Sequence, residues 1–445
     1  MTNAMDYPGI PVKTADTEAQ KKTNCGFLRY QAILVVLFPV LLIYTAYQAF
    51  KYQSWHFFLQ RVGFFSRPKR PIDIWLHTAS VGEVNAALPL IKEIQKKYPE
   101  KTVLVTTTTP TGAKVLTQKK LTNTIHQYLP IDYRFMVSNL LKHYQPKCVL
   151  IMETEIWPNL FRLCYNRNIP LCTVNGRLSR RTLDTTGWIR SLLKSTLQYS
   201  SLILTRSDND SKAYIALGAN PDKVKTIGNI KFSVETAITG KTKLDLARPY
   251  VLAASTHASE ELMIASLWKD RELKNSGQLL VVVPRHPQRL NDILAQLQEL
   301  NLDLAVRSRN DTISNNTDIY IADTIGELID FMAGADIIFM GGSLVPIGGH
   351  NVLEPAALGK PMVFGPYMEN FASEAELLTG FAAAIQVDDL AQLGNTLEDA
   401  QQHPDKYSEL GSNAKHIIER HKDTASRYVA ELSKYMDAEP NVNRH

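Results

Sequence analysis

The stretch Asp336-Ile337-Ile338-Phe339-Met340-Gly341-Gly342-Ser343-Leu344-Val345-Pro346-Ile347-Gly348-Gly349-His350-Asn351-Val352-Leu353-Glu354-Pro355 decides the fold of this chain. Its opening apolar run has the length and β-branched content of a buried strand. The glycines that follow let backbone approach a ligand closely and permit positive φ. Val352 to Gly359 reads as a short helix closed by a C-terminal glycine. Strand, glycine loop and helix start together aim backbone N–H groups at an anion. The order is neither that of a P-loop nor that of a dinucleotide fingerprint. A tight strand-to-helix turn is the plainer alternative.

The same alternation extends outward in both directions. Upstream, strands are expected at 73–77, 102–107, 126–130, 148–153, 171–175 and 202–205, with an amphipathic helix from Val84 to Lys97. A polar break, Thr239 to Lys243, precedes a second series at 250–254, 279–283, 305–306, 319–322, 337–340 and 361–364. Helices fill the gaps, notably Ser259 to Leu267 and Leu290 to Leu300. Strands alternating with helices imply parallel sheets with crossovers. The expected architecture is α/β, with two Rossmann-like domains, 71–240 and 250–436, facing each other across a cleft. Ligands in such sheets lie beyond the C-terminal strand ends. A last helical stretch, 407–435, would brace the back of the fold.

A length of 445 residues exceeds one ordinary core. The net charge of +5 suits an anionic surface or substrate but lacks the clustered Lys and Arg of a nucleic-acid binder. Cys25, Cys148, Cys164 and Cys172 show no C-x-x-C spacing, which argues against a disulfide framework or zinc site and fits a reducing compartment. Residues 1–30 read as a polar, disordered extension. Residues 31–50 carry no charge and match the length of a bilayer-crossing helix. An uncleaved anchor is preferred to a signal peptide, because the apolar run is long and no small-x-small site follows. Tyr44, Tyr47 and Trp55 suit a membrane interface, and Lys51, Arg61, Arg67, Lys69 and Arg70 an anionic leaflet. Lys13, Lys21, Lys22 and Arg29 on the other side leave orientation unset by charge.

Polar residues gather at strand ends in both halves. In His77-Thr78-Ala79-Ser80-Val81-Gly82-Glu83, the glutamate stands at a helix start, where the dipole favours its ionised form. There it is a candidate general base, with simple helix capping as the alternative. Met152-Glu153-Thr154-Glu155-Ile156-Trp157-Pro158-Asn159 puts Glu153 and Glu155 directly after a strand. Gly228-Asn229-Ile230-Lys231-Phe232 sets a lysine in an apolar context, and solvent exposure is its plainer reading. In Pro284-Arg285-His286-Pro287, Arg285 is placed to clamp a phosphate, and His286 reads first as a structural hydrogen-bonder. Ser255, Thr256 and His257 add polar groups at another strand end, and Asp323-Thr324-Ile325-Gly326-Glu327 opens a helix. No stretch has metal-ligand spacing, so neither metal nor cofactor is expected.

Taken together, these motifs resemble one family, the 3-deoxy-D-manno-octulosonic acid (Kdo) transferases of lipopolysaccharide assembly. The matching stretches are the 77–83, 152–159, 228–232 and 284–287 segments already quoted, Asn175-Gly176-Arg177-Leu178-Ser179, and Gly348-Gly349-His350-Asn351-Val352-Leu353-Glu354-Pro355. They run in family order over about residues 70–370. The resemblance implies a GT-B glycosyltransferase on an N-terminal transmembrane anchor, with acceptor on the first domain and nucleotide-sugar on the second. The donor would be CMP-Kdo. The acceptor would be the lipid A precursor (lipid IVA) in the bacterial inner membrane, with the catalytic domains cytoplasmic. Glu83 would be the base of an inverting transfer, and Glu153 and Lys231 would stabilise charge near the reacting centre. Pro284, Arg285, Ile325, Gly326, Glu327, Asn351, Val352, Leu353 and Glu354 would bind CMP. The long polar extension and the poorly matched Trp55 to Phe65 segment depart from the family and bear on lipid docking. Two other readings stay open. One is a GT-B transferase or epimerase using a UDP-sugar; the other is a membrane-anchored nucleotide-sugar-binding protein without catalysis.

Overall fold

The structure is a computed structural model. It describes residues 15–65, 71–233, 244 and 246–437, giving backbone alone at 15–25 and at 274. The described residues form two compact units. One runs to Lys231 and resumes at Thr424; the other is Phe232–Asp423.

The first unit is built on seven parallel strands, β1 (Ile74–Thr78), β2 (Val103–Thr107), β3 (Thr124–Tyr128), β4 (Cys148–Met152), β5 (Leu171–Gly176), β6 (Leu202–Thr205) and β7 (Val224–Thr226), in the order β3-β2-β1-β4-β5-β6-β7. Parallel neighbours need crossover helices, which cover both faces, so these strands read as unbroken apolar runs. β1, β2 and β4 are buried at every position. Side chains still alternate between faces. Ile74, Leu76, Val103 and Val105 pack with the helix Val81–Lys97 on one side; Trp75, Leu104, Val149 and Ile151 pack with the helices Arg134–Tyr144 and Pro158–Asn166 on the other.

The second unit has strands β8 (Tyr250–Thr256), β9 (Leu279–Pro284), β10 (Leu304–Val306), β11 (Ile319–Ile321), β12 (Ile337–Met340), β13 (Met362–Phe364) and β14 (Ile385–Gln386), parallel throughout, ordered β10-β11-β9-β8-β12-β13-β14. All twelve expected strands form, within two residues at either end. β7 and β14 were not expected; both are short edge strands, with little sequence on which a pattern can show. In each sheet the strand order reverses about a central pair, β1 with β4 and β8 with β12. The loops leaving such a pair diverge and open a crevice at the carboxyl end.

Two expectations about the chain's ends change. The second domain was taken to run to residue 436, but the helix Thr424–Met436 packs on the first unit. Its buried stripe of Ala425, Tyr428, Val429, Leu432 and Met436 joins the core beneath Val81–Lys97. The helix Pro404–His421 stays with the second unit, so the 407–435 stretch is two helices with different cores. The break at 239–243 lies outside the described residues.

At the other end, α1 (Ala15–Lys51) is one helix, so residues 15–30 are helical where an irregular extension was expected. Residues 1–14, including Lys13, lie outside the described residues, as do Arg67, Lys69 and Arg70. From Gly26 to Lys51 the helix is long and apolar enough to cross a bilayer. It is also docked along much of that length. The Tyr30 hydroxyl donates to Asp132 Oδ2 at 2.9 Å and Gln31 Nε2 to Asn159 Oδ1 at 2.7 Å. Leu34, Phe38 and Leu41 pack with Ile131, Tyr133 and Met136, and Ala49 meets Phe57 and Tyr128. The opposite face, with Val35, Val36, Val40, Ile43, Tyr47 and Phe50, is exposed.

Candidate active site

In the first unit the loops after β1, β4 and β5 bring together Glu83, Glu153, Glu155 and Arg177. Ser80 caps the helix Val81–Lys97, its Oγ accepting the Glu83 N–H at 3.3 Å. The Glu83 side chain folds back, and Oε2 accepts the Ala79 N–H at 2.6 Å. The capping alternative is therefore realised, but it uses one oxygen; no described residue hydrogen-bonds Oε1. The carboxyl is buried, and that burial pushes its pKa up to about 8. The Ala79 N–H opposes the rise, Glu153 and Glu155 add to it, and Arg177 opposes it. Desolvation and like charge both disfavour the anion, the setting of a base poised near neutrality.

Glu153 adopts left-handed backbone, φ +52, directly after β4. The Tyr214 hydroxyl ties this turn down by donating to the Glu153 carbonyl at 3.0 Å. Arg177 Nε contacts one carboxylate oxygen of Glu153 at 3.1 Å and Lys231 Nζ the other at 3.8 Å. Lys231 is thus half-buried against a carboxylate, not a solvated lysine. Its segment is pinned by Asn175, whose Oδ1 accepts the Ile230 N–H at 3.1 Å. Glu155 approaches buried His77 at 3.9 Å, and His77 Nδ1 pairs with Thr106 Oγ1 at 2.9 Å. The arrangement offers one proton acceptor beside a balanced pair of cations and carboxylates.

In the second unit the loops after β8, β9 and β12 gather His257, Arg285, His286 and His350. His257 and His350 stack at 5.1 Å between centroids and share a 2.9 Å contact between their Nε2 atoms. His286 meets His257 edge-on at 5.5 Å. Burial, then its neighbours His257, Arg285 and His286, lower the His350 pKa to about 4. Arg285 itself is exposed, its backbone N–H held by the Thr256 carbonyl at 2.9 Å, and Pro284 is buried at the end of β9.

The glycine loop behaves differently from the expectation that it offers its N–H groups to a ligand. Glu260, fully buried at the start of the helix Glu260–Asp270, takes them instead. Its carboxylate accepts N–H groups from Gly342 at 2.7 Å, Ser343 at 3.1 Å, Leu344 at 3.0 Å and His257 at 2.9 Å. Burial raises the Glu260 pKa while these four donors hold it down. Gly341 is required here: a Cβ would lie 2.6 Å from the Ser255 carbonyl oxygen. Beyond the loop, Asn351 Oδ1 accepts the Leu353 N–H at 3.1 Å, Val352 and Leu353 are buried, and Glu354 is half-buried. The helix that follows, Leu353–Ala357, is only five residues long. In the other candidate loop Ile325 is 89% exposed and Gly326 has φ +98. Glu327 is held by Arg307 at 2.8 Å and by Thr324, and Arg307 keeps its carboxyl below the usual range.

The family model described as 3-deoxy-D-manno-octulosonic-acid transferase (kdotransferase) matches residues 56–234. A 3-deoxy-D-manno-octulosonic acid transferase of Haemophilus influenzae is 32% identical over 419 residues, covering 92% of this chain and 98% of the relative. This chain belongs to the Kdo transferase family. It is a glycosyltransferase, and its two parallel-sheet domains are of the GT-B type. Among solved structures, the UDP-GlcNAc 2-epimerase of Neisseria meningitidis has the same fold, with a TM-score of 0.53 at 14% identity over 82% of this chain and all of that one. The C-terminal CMP-Kdo binding domain of WaaA from Acinetobacter baumannii is 34% identical over 38% of this chain and 89% of that one, with a TM-score of 0.37.

Of the transferase's expected site residues, the structure joins Glu153 to Lys231 and sets Glu83 beside the same cluster. Pro284 and Arg285 come together with the histidines, while Ile325 to Glu327 occupy a separate loop. Sequence reasoning gave no role to Arg177, His350 or Glu260. Arg177 and His350 stood inside quoted motifs and were within reach. Glu260 was not, because its partners in the glycine loop, Gly342, Ser343 and Leu344, lie 82 to 84 residues away.

Proposed function

We propose that this enzyme transfers Kdo from CMP-Kdo to the lipid IVA precursor of lipopolysaccharide, with inversion at the anomeric carbon. The observation that carries the reading is the buried Glu83 carboxyl, raised to about 8, with one oxygen capping Ala79 and the other unclaimed by any described residue. In the proposed step that oxygen takes the proton of an acceptor hydroxyl as the hydroxyl oxygen attacks the anomeric carbon of Kdo. The bond from that carbon to the CMP phosphate breaks, and CMP departs with the electron pair. An inverting displacement needs one base on the attacking face. Glu153, gripped by Arg177 and Lys231, would fix those two cations where charge develops. CMP would bind the second unit, its phosphate at Arg285 with His286, His257 and His350 behind, and its nucleoside along Pro284, Ile325 to Glu327 and Asn351 to Glu354. The exposed Arg285 guanidinium at the end of β9, beside the His257 and His350 imidazoles that burial keeps neutral and able to donate N–H groups, supports that placement. The apolar face of α1 would hold the enzyme to the cytoplasmic side of the inner membrane.

A transfer assay tests this, with detergent-solubilised enzyme, CMP-Kdo made in situ and lipid IVA, read by mass spectrometry. Wild type should add Kdo mass. Glu83→Ala should still be stabilised against unfolding by CMP but lose transfer by about a hundredfold or more, the scale of a lost general base. Near-normal turnover in Glu83→Ala removes the base assignment, and stabilisation by UDP but not CMP removes the donor.

A further inference from the structure

The first unit contains a cleft of about 430 Å³ between α1, at Phe27 to Gln31, and two other helices. Phe27 and Leu28 come from α1, Arg134 from the start of Arg134–Tyr144, and Asn159, Arg162 and Asn166 from Pro158–Asn166. Nothing in the proposed transfer uses these groups. The Arg162 guanidinium lies 4.3 Å from the centroid of the Phe27 ring, so one wall is apolar and the charge stands over it. Among the described residues neither Arg134 nor Arg162 has a carboxylate partner. Asp132 lies beneath, but its oxygens are occupied by the Tyr30 hydroxyl and by the N–H groups of Asn159 and Leu160, at 2.9, 2.9 and 3.0 Å. Asn159 is fixed in turn, accepting from Gln31 of α1. The cleft therefore sets the Arg162 guanidinium over Phe27 and is lined as well by the exposed Arg134, by amides and by an apolar wall, and it forms only when α1 is docked.

Guanidinium groups stack on aromatic faces and pair with phosphate oxygens through parallel N–H donors. Leu28 and Val35, one heptad apart on α1, carry the apolar wall on to the exposed face of the helix. We propose that this cleft seats the phosphate head group of an anionic membrane phospholipid, with the acyl chains running out over that face. The occupant is a phospholipid because the cleft is part of the same helix whose apolar face would meet the bilayer. The assignment rests on reading α1 as a membrane element, and the test separates the two.

The test is sedimentation of full-length protein with phosphatidylcholine vesicles, with and without phosphatidylglycerol. Wild type should bind both and prefer the anionic vesicles. Each arginine near an anionic surface adds about fivefold in affinity, so the double variant Arg134→Gln, Arg162→Gln should lose preference by about twenty-five-fold. Its binding to neutral vesicles should be unchanged, as should its KM for lipid IVA in phospholipid-free detergent. Retained preference in the double variant overturns the proposal. A raised KM with the preference intact also overturns it, giving the cleft to the phosphorylated acceptor. Equal wild-type affinity for the two vesicles overturns the cleft assignment alone, whereas no binding to either overturns the membrane reading and the cleft with it.

Discussion

At the scale of single residues, Glu83 couples stability to pH in a direction that can be worked out. Its folded pKa of about 8 stands above the ordinary carboxyl value of 4.5. The folded state therefore holds a proton that the unfolded chain releases between those limits. The stability it contributes is complete below pH 4.5 and is lost as pH rises through about 8. Glu83→Gln keeps the shape without the charge. Its first unit should melt on the order of 5 °C above wild type at pH 9, corresponding to a few kcal/mol, and the gap should close by pH 5. Calorimetry across that range measures it, and parallel melting curves for the two proteins would mean that Glu83 ionises without cost. The catalytic counterpart has the same midpoint: a base acts only when deprotonated, so transfer should rise with pH toward about 8.

At the scale of elements, the strand-end loops owe their shape to carboxylates that the sequence hides. A buried N–H without a partner costs about 1–3 kcal/mol, and the glycine loop with His257 would leave four such groups. Glu260 meets all four. Glu260→Gln replaces two acceptor oxygens by one and turns an amide NH2 towards N–H donors. It should lower the stability of the second unit by about 3 kcal/mol or more, seen in a denaturant melt, and weaken CMP binding through the displaced His257 and His350. An unchanged melt would show that the loop holds its shape without the carboxylate. The strands themselves were legible, since fully covered parallel strands are continuous apolar runs such as Leu279 to Val283. So was the gathering of motifs at strand ends. The loop's real anion was not legible: periodicity reports which face a residue takes, never which distant backbone it meets. Glu260 looked like any acidic residue in a first helical turn.

At the scale of the whole chain, both misread regions lie at its ends, where local pattern decides least. Tyr428 and Leu432 make a good amphipathic stripe, but nothing in a stripe says which of two similar cores it will join. Likewise the apolar run of α1 was legible as a membrane-length helix, whereas its docking depends on Tyr30, Gln31 and Leu34 meeting Asp132, Asn159 and Tyr133. That docking makes α1 part of the first unit's core as well as its candidate anchor. Deleting residues 1–50 should therefore do more than release the enzyme from lipid. It strips the cover from Ile131, Tyr133 and Met136 and takes the Tyr30 hydroxyl from a buried carboxylate. Burying each large apolar side chain contributes about 1.5–3 kcal/mol, so the first unit should lose on the order of 5 kcal/mol. The second unit, whose cores contain no residue of α1, should unfold as before. Calorimetry in a mild detergent distinguishes the cases. One lowered transition beside one unchanged transition is the expected result, whereas a helix that merely tethers would leave both where they were.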